Sequence, residues 1–188
     1  MKRLLLMMIL WCGASISLHA QVVTVTISFA ASSGIATGTS IQLSSFKIGA
    51  TQPPIATYAG AAASAAKSQF TPLTLYKNID ATSPILFLDC ALGKPIKNAT
   101  LTVYQDSTPI FQILLEGVFI STINDDSTYS NGGPPLETFS LSYGIIGWQY
   151  IPPTGPTVNA AFNLETNTNL SFSQVLNSVD PSSASLAR

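Results

Sequence analysis

Few side chains in this sequence offer chemistry. Cys90 is a potential nucleophile, Glu116 and Glu137 are a potential carboxylate pair, and Asn124, Asp125 and Asp126 are potential oxygen ligands. A serine or cysteine nucleophile needs a base, usually histidine. The only histidine is His19, inside a leader expected to be removed. Cys90 therefore reads as a small packed residue on a helix. Glu116 and Glu137 fall on two long strand-like stretches, the least implausible arrangement for glycoside hydrolysis. Glu116 reads better as part of a paired face or an ion pair with a lysine. The acidic trio lies in NDDSTYSNGGPP, whose spacing does not follow a calcium loop and whose residues suit a solvated hairpin turn. A transition-metal site would have only scattered carboxylates to use. No glycine-rich phosphate loop sits between a strand and a helix. The expectation is a protein that is not an enzyme and takes no cofactor.

The first twenty of 188 residues are MKRLLLMMILWCGASISLHA. A basic start at Lys2 and Arg3, an apolar run from Leu4 to Trp11 and a small, more polar end form the layout of a secretory signal peptide. Cleavage is expected after Ala20. A retained anchor is the other reading, but the run is short of the about 20 residues that span a bilayer. Removal of the leader takes Cys12 and leaves Cys90 alone, so no disulfide forms within the chain. It leaves six basic residues against nine acidic ones, which argues against nucleic acid or an anionic membrane as partner. Charged residues are 9% of the chain, against about 25% in ordinary soluble domains. So little charge suggests that other subunits cover part of the exterior.

The elements that must position these residues are mostly strands. In ETFSLSYGIIGWQY, residues Glu137 to Tyr150, the bulky positions are Phe139, Leu141, Tyr143 and Ile145, and then the phase slips to Ile146, Trp148 and Tyr150. A slip without a bulge would turn every later side chain to the wrong face. Gly144 and Gly147 flank it, so a long bent strand serving two packing surfaces is expected. IFQILLEGVFISTI, Ile110 to Ile123, places Phe111, Ile113, Leu115 and Phe119 on one side and Leu114, Val118 and Ile120 on the other. Both faces are apolar, so both need a cover: the domain's own core on one, a helix or a neighbouring subunit on the other.

Val22 to Phe29, Ile41 to Ile48, Phe70 to Tyr76, Ala99 to Tyr104 and Thr157 to Leu164 also read as strands. A helix is expected in ILFLDCAL, with Ser83 as cap, Pro84 at its first position, Gly93 as stop, and Ile85, Leu88 and Leu92 on one face. Gly49 to Ser68 is a long alanine-rich excursion containing Pro53, Pro54 and Tyr58. A loop of that length in a compact domain is usually functional or disordered. Residues 171–188 are polar and are expected to form a flexible tail. The domain plan is thus a leader at 1–20, one domain at 21–170 and a tail at 171–188.

From about Phe70 to Pro153 the chain resembles the Hcp family, the haemolysin-coregulated tube proteins of type VI secretion. The pieces that carry the resemblance are LTLYKNIDATSPILFLDCALGKPIKNATLTVY, ILLEGVFISTI and ETFSLSYGIIGWQYIPP, in that order. VVTVTISF, SIQLSSFKIGATQPP and AAFNLETNTN fit the family's first two strands and its closing strand. The resemblance implies a mainly β fold, a small β-barrel of two packed antiparallel sheets with one short α-helix. It implies hexameric rings that stack into a tube and carry effector proteins. Gly49 to Ser68 corresponds to the family's extended loop. The subunit interface is then expected at Leu114, Val118 and Ile120 and, in the loop, at Pro53, Pro54 and Tyr58. A signal peptide departs from the family pattern, because its members are expelled by their own apparatus. The other readings are an exported monomeric β-barrel that binds a ligand or surface protein and, more remotely, a carboxylate-dependent hydrolase.

Overall fold

A computed structural model describes residues 22–30, 35, 39–53, 67–126 and 135–179. Alternation of apolar and small polar residues produces strands throughout. The first five are β1 (Val23–Phe29), β2 (Ser40–Leu43), β3 (Ser45–Lys47), β4 (Ala50–Thr51) and β5 (Gln69–Phe70). They are followed by β6 (Leu73–Asn78), helix α1 (Ser83–Ala91), β7 (Ile96–Gln105) and the long β8 (Thr108–Asp126). The chain continues through β9 (Leu136–Ser142), β10 (Ile145–Tyr150), β11 (Val158–Asn163), β12 (Thr168–Leu170) and helix α2 (Phe172–Val179). All strand pairings are antiparallel.

Two sheets share β8. The first runs β12-β11-β10-β8-β7-β1-β2, and the second runs through β3, β6, β9 and β8. The first half of β8 pairs with β10 and the second half with β9. One core lies between the sheets. Ile27, Leu101, Ile113, Leu115 and Ile146 reach it from the first sheet, and Leu73, Leu75, Phe139 and Leu141 from the second. The small barrel with two packed antiparallel sheets follows the sequence expectation.

The slip between Phe139 and Trp148 marks the passage from one sheet to the other. Phe139 and Leu141 enter the core from β9, the strand stops at Tyr143 and Gly144, and Ile146 and Trp148 enter the same core from β10. The stretch is therefore two strands at a corner. The matching corner on β8 is Gly117, whose φ of 62° favours a residue without Cβ. Gly144 donates its N–H to the Glu116 carbonyl at 2.9 Å, and this bond pins the two corners together.

Gly117 also corrects the face assignment for β8. Before it, Phe111, Ile113 and Leu115 point to the core; after it, Val118 and Ile120 do, and Phe119 turns out to solvent. A period of two assumes an unbroken pleat, and one residue in the left-handed region reverses the parity. Ile41 to Ile48 is likewise two strands, broken at Ser44, one in each sheet.

Helix α1 begins one residue away from the expected cap. Thr82 occupies the N-cap without a side-chain cap bond, Pro84 lies in the first turn, and the helix gives way at Leu92 and Gly93. Its inward residues are Leu86 and Asp89, with Ile85 and Cys90 half-buried; Leu88 and Leu92 face outward. The expected face of Ile85, Leu88 and Leu92 is therefore corrected.

Where a flexible tail is expected from Ser171, residues Phe172–Val179 form α2, and Asp180 to Arg188 lie outside the described residues. Ser171 and Gln174 make a reciprocal capping box. The Ser171 N–H donates to Gln174 Oε1 at 3.0 Å, and the Gln174 N–H donates to Ser171 Oγ at 3.4 Å. Phe172, Val175, Leu176 and Val179 recur at helical spacing and pack with Leu114, Ile145 and Ala161 on the outer face of the first sheet.

Candidate functional site

The fold holds the chemically capable residues apart. Cys90 is half-buried on α1 against the core. Glu116 lies opposite Ile145 and Asn98 in the first sheet and accepts a hydrogen bond from the Ser178 hydroxyl. Asn98 in turn donates to the Ser178 carbonyl at 3.2 Å, so this carboxylate anchors the end of α2. Glu137 lies opposite Asp125 in the second sheet, nine residues farther along β8 than Glu116. That is roughly 30 Å of strand path at about 3.3 Å per residue. A retaining or inverting glycosidase needs its carboxylates within about 5–9.5 Å. The candidate pair is therefore not brought together. Asn124, Asp125 and Asp126 belong to the end of β8, not to a loop, and pair with Thr138, Glu137 and Leu136. Among the described residues no group of three His, Cys, Asp or Glu side chains is placed to hold a metal ion.

What the fold does assemble is a closed ionic cluster at the start of α1. Lys77, next to the end of β6, lies directly opposite Glu137 on β9, and both side chains are fully enclosed. The Lys77 ammonium contacts Glu137 Oε1 at 3.1 Å, Asp80 Oδ1 at 3.0 Å and Ser83 Oγ at 2.9 Å. Its three donors thus have three acceptors. Ser83 Oγ also accepts the Asp80 N–H at 3.1 Å, so the cluster ties β6, β9 and the first turn of α1 together. Glu137 Oε2 is buried and has no hydrogen-bond partner.

Asp80 is the solvent-facing member. Burial acts to raise its pKa, but hydrogen bonds from the Thr82 hydroxyl and N–H, then the bond and charge of Lys77, bring it below 3.8. A carboxyl whose folded pKa is depressed stabilises the fold above its unfolded pKa and loses that contribution as pH falls through the folded value. The melting temperature is therefore expected to fall as pH drops below about 4, and less steeply in Asp80→Asn. Equal slopes in the two proteins would show that Asp80 does not carry the effect. At the other end of the scale, burial pushes Tyr143 up to about 12, and its hydroxyl donates to the Thr71 carbonyl at 3.1 Å.

The interface residues expected from the sequence are placed differently by the structure. Leu114 is covered by α2, while Val118 and Ile120 are in the core, each 4% exposed or less. Of the two covers expected, a helix or a neighbouring subunit, a helix is present over Leu114, and the parity change at Gly117 turns Val118 and Ile120 into the core. These three residues offer no surface to a second subunit. Pro53 is half-buried at the foot of the long excursion; Pro54 and Tyr58 lie outside the described residues. The excursion leaves and returns through the β4–β5 ladder, Ala50 opposite Phe70 and Thr51 opposite Gln69. Behind it Phe70 stacks on Phe162 and Trp148, with ring centroids 5.4 and 6.3 Å apart.

Among the described residues, α1 carries three neighbouring apolar side chains that stay open. Phe87, Leu88 and Leu92 are 56, 55 and 67% exposed. The helix has no acidic residue in its first turn and no basic residue in its last. Sequence reasoning assigned Leu88 and Leu92 to the inward face and so missed this surface. The signal available was the run ILFL itself, which no helix of this length can bury on one side. No described helix is long and apolar enough to cross a membrane.

Comparison with known proteins shows what this arrangement is similar to. The family profile described as type VI secretion system effector, Hcp, matches residues 16–150. Among solved structures, one titled as a type six secretion system protein superposes with a TM-score of 0.69 at 18% identity, covering 79% of this chain and all of the other. Hcp1 from Salmonella typhimurium gives 0.64 at 20% identity, covering 79% and 99%. A type VI secretion system effector from Yersinia pestis gives 0.59 at 19% identity, covering 74% and 98%. Comparison with curated protein sequences finds no match.

Proposed function

Because this chain belongs to the Hcp family of type VI secretion, we propose that it is a non-enzymatic structural subunit that closes with copies of itself into hexameric rings. The rings stack into tubes and carry secreted effector proteins. The single observation that carries this reading is the family match across residues 16–150, on a fold that superposes over nearly the whole of the related chains. The open apolar face of α1 supports self-association, since an unpartnered face of that kind in a chain with 9% charged residues favours burial against a protein surface. On this reading the contact surface includes Phe87, Leu88 and Leu92, because Leu114, Val118 and Ile120 are buried within the subunit.

Residues 1–20 act as a signal peptide cut after Ala20, and the subunit works outside the cytoplasm, in the periplasm or beyond the cell. The structural barrel then begins at β1. A second reading, an exported monomeric barrel that binds a ligand or surface protein, draws on one observation: the apolar outer face of β8 is sealed by α2 within the subunit.

Light scattering on the protein recovered from the producing cells separates the two. A mass of six subunits is expected, falling toward one subunit in the Leu88→Lys, Leu92→Lys variant. A single-subunit mass at all accessible concentrations refutes the ring, and a hexamer unaffected by the two lysines refutes the role of α1.

A further inference from the structure

The outer face of the first sheet holds a polar row that neither the core nor α2 uses. Gln42 is opposite Thr26, Thr26 opposite Thr102, Thr102 opposite Gln112, Gln112 opposite Gln149, and Gln149 opposite Asn159. Six strands thus contribute one side chain each, and every one is an amide or a hydroxyl. Neighbouring strands lie about 4.8 Å apart, so the row crosses the sheet as neutral donors and acceptors at that spacing, with Thr102 buried in its middle. Gln112 Nε2 donates to Thr102 Oγ1 at 3.4 Å in the middle of the row. At its end Gln149 and Asn159 make no side-chain hydrogen bond among the described residues, and they open into a cavity of about 550 Å³. Asn169, Ser171, Leu170 and Leu176 are among the other residues that line it, and no lining residue is ionisable.

We propose that the open end of this row, Gln149 and Asn159, and the cavity beside it bind a neutral oligosaccharide. The cavity lies within the about 300–1,000 Å³ of small-molecule sites. A charged ligand would find no counter-charge there, and a purely apolar one would strip water from unpaired amides. A sugar hydroxyl both donates and accepts, as does a primary amide, and Leu170 and Leu176 suit the C–H face of a pyranose. An extended peptide would instead pair with a sheet edge, and the edge beside the cavity, β12, is three residues long.

The protein as recovered from the producing cells is titrated calorimetrically with maltohexaose and cellohexaose. An anionic oligogalacturonate and an uncharged Gly-Ser peptide are titrated in parallel. Saturable binding of at least one neutral hexaose is expected. The Gln149→Ala, Asn159→Ala variant is expected to bind it about tenfold more weakly. Both substitutions are at the surface, and an unchanged melting temperature verifies the fold. Absence of saturable binding by both hexaoses overturns the proposal. So does undiminished binding by the variant, or equal binding of the oligogalacturonate or the peptide. None of these results depends on the ring.

Discussion

Replacing Lys77 by methionine is expected to destabilise the fold by about 3–5 kcal/mol. Lys77 is enclosed completely, and so is Glu137, its partner across β6 and β9. Among the described residues the ammonium is the only counter-charge that Glu137 contacts, and one of the two Glu137 oxygens already lacks a hydrogen bond. Removal of the lysine would leave a carboxylate without solvent and without a partner, which costs far more than the pair itself contributes. Asp80 behaves differently, because its side chain is 44% exposed and water can take over from the lysine. The double variant Lys77→Met, Glu137→Met removes both charges and is expected to recover most of the loss. Urea denaturation of the parent, both single variants and the double variant measures this coupling directly. A Lys77→Met protein within about 1 kcal/mol of the parent would mean that Glu137 is not enclosed as described.

The second large effect is expected at the seat of α2. Phe172 is 7% exposed and packs over Gly147, where an added Cβ would come within 3.1 Å of its ring and 3.5 Å of Val175. Phe172→Ala deletes the ring and opens a cavity over Leu114, Gly147 and Ala161, at about 3–5 kcal/mol. Gly147→Val does the opposite: it overfills the same space and lifts the helix, at about 1–3 kcal/mol. Because the two substitutions share one space, their combination is expected to cost less than their sum. Thermal melts of the three variants measure this. Simple addition would indicate that Phe172 and Gly147 do not touch.

Much of the barrel was legible because its signals are local. Phe139 and Leu141 alternate, glycines flank a slip, and Ile146 and Trp148 resume; the structure turns this into one core reached from two sheets. Gly93 marked the end of α1 because the stop is written in one residue. Three features were harder to read. The left-handed turn at Gly117 reverses the faces of β8, and a glycine inside a strand pattern does not announce the sign of its φ. Helix α2 was hidden by its serine-rich composition, although SFSQ spells a capping box and Phe172, Val175, Leu176 and Val179 have helical spacing. Lys77 and Glu137 are sixty positions apart, and only the register of β6 on β9 sets them face to face.

The cover of β8 has the same origin. An apolar strand with two faces does need two covers, and counting them from sequence was sound. Which piece of protein supplies the second cover depends on contacts between distant parts of the chain. Leu114 received it from α2, while Phe87, Leu88 and Leu92 on α1 are among the apolar side chains still uncovered.

Electron micrographs of the negatively stained protein test self-assembly most directly. Class averages with six-fold symmetry around a central opening are predicted, alone or in stacks. A field of separate particles, each the size of one barrel, at every accessible concentration would contradict it.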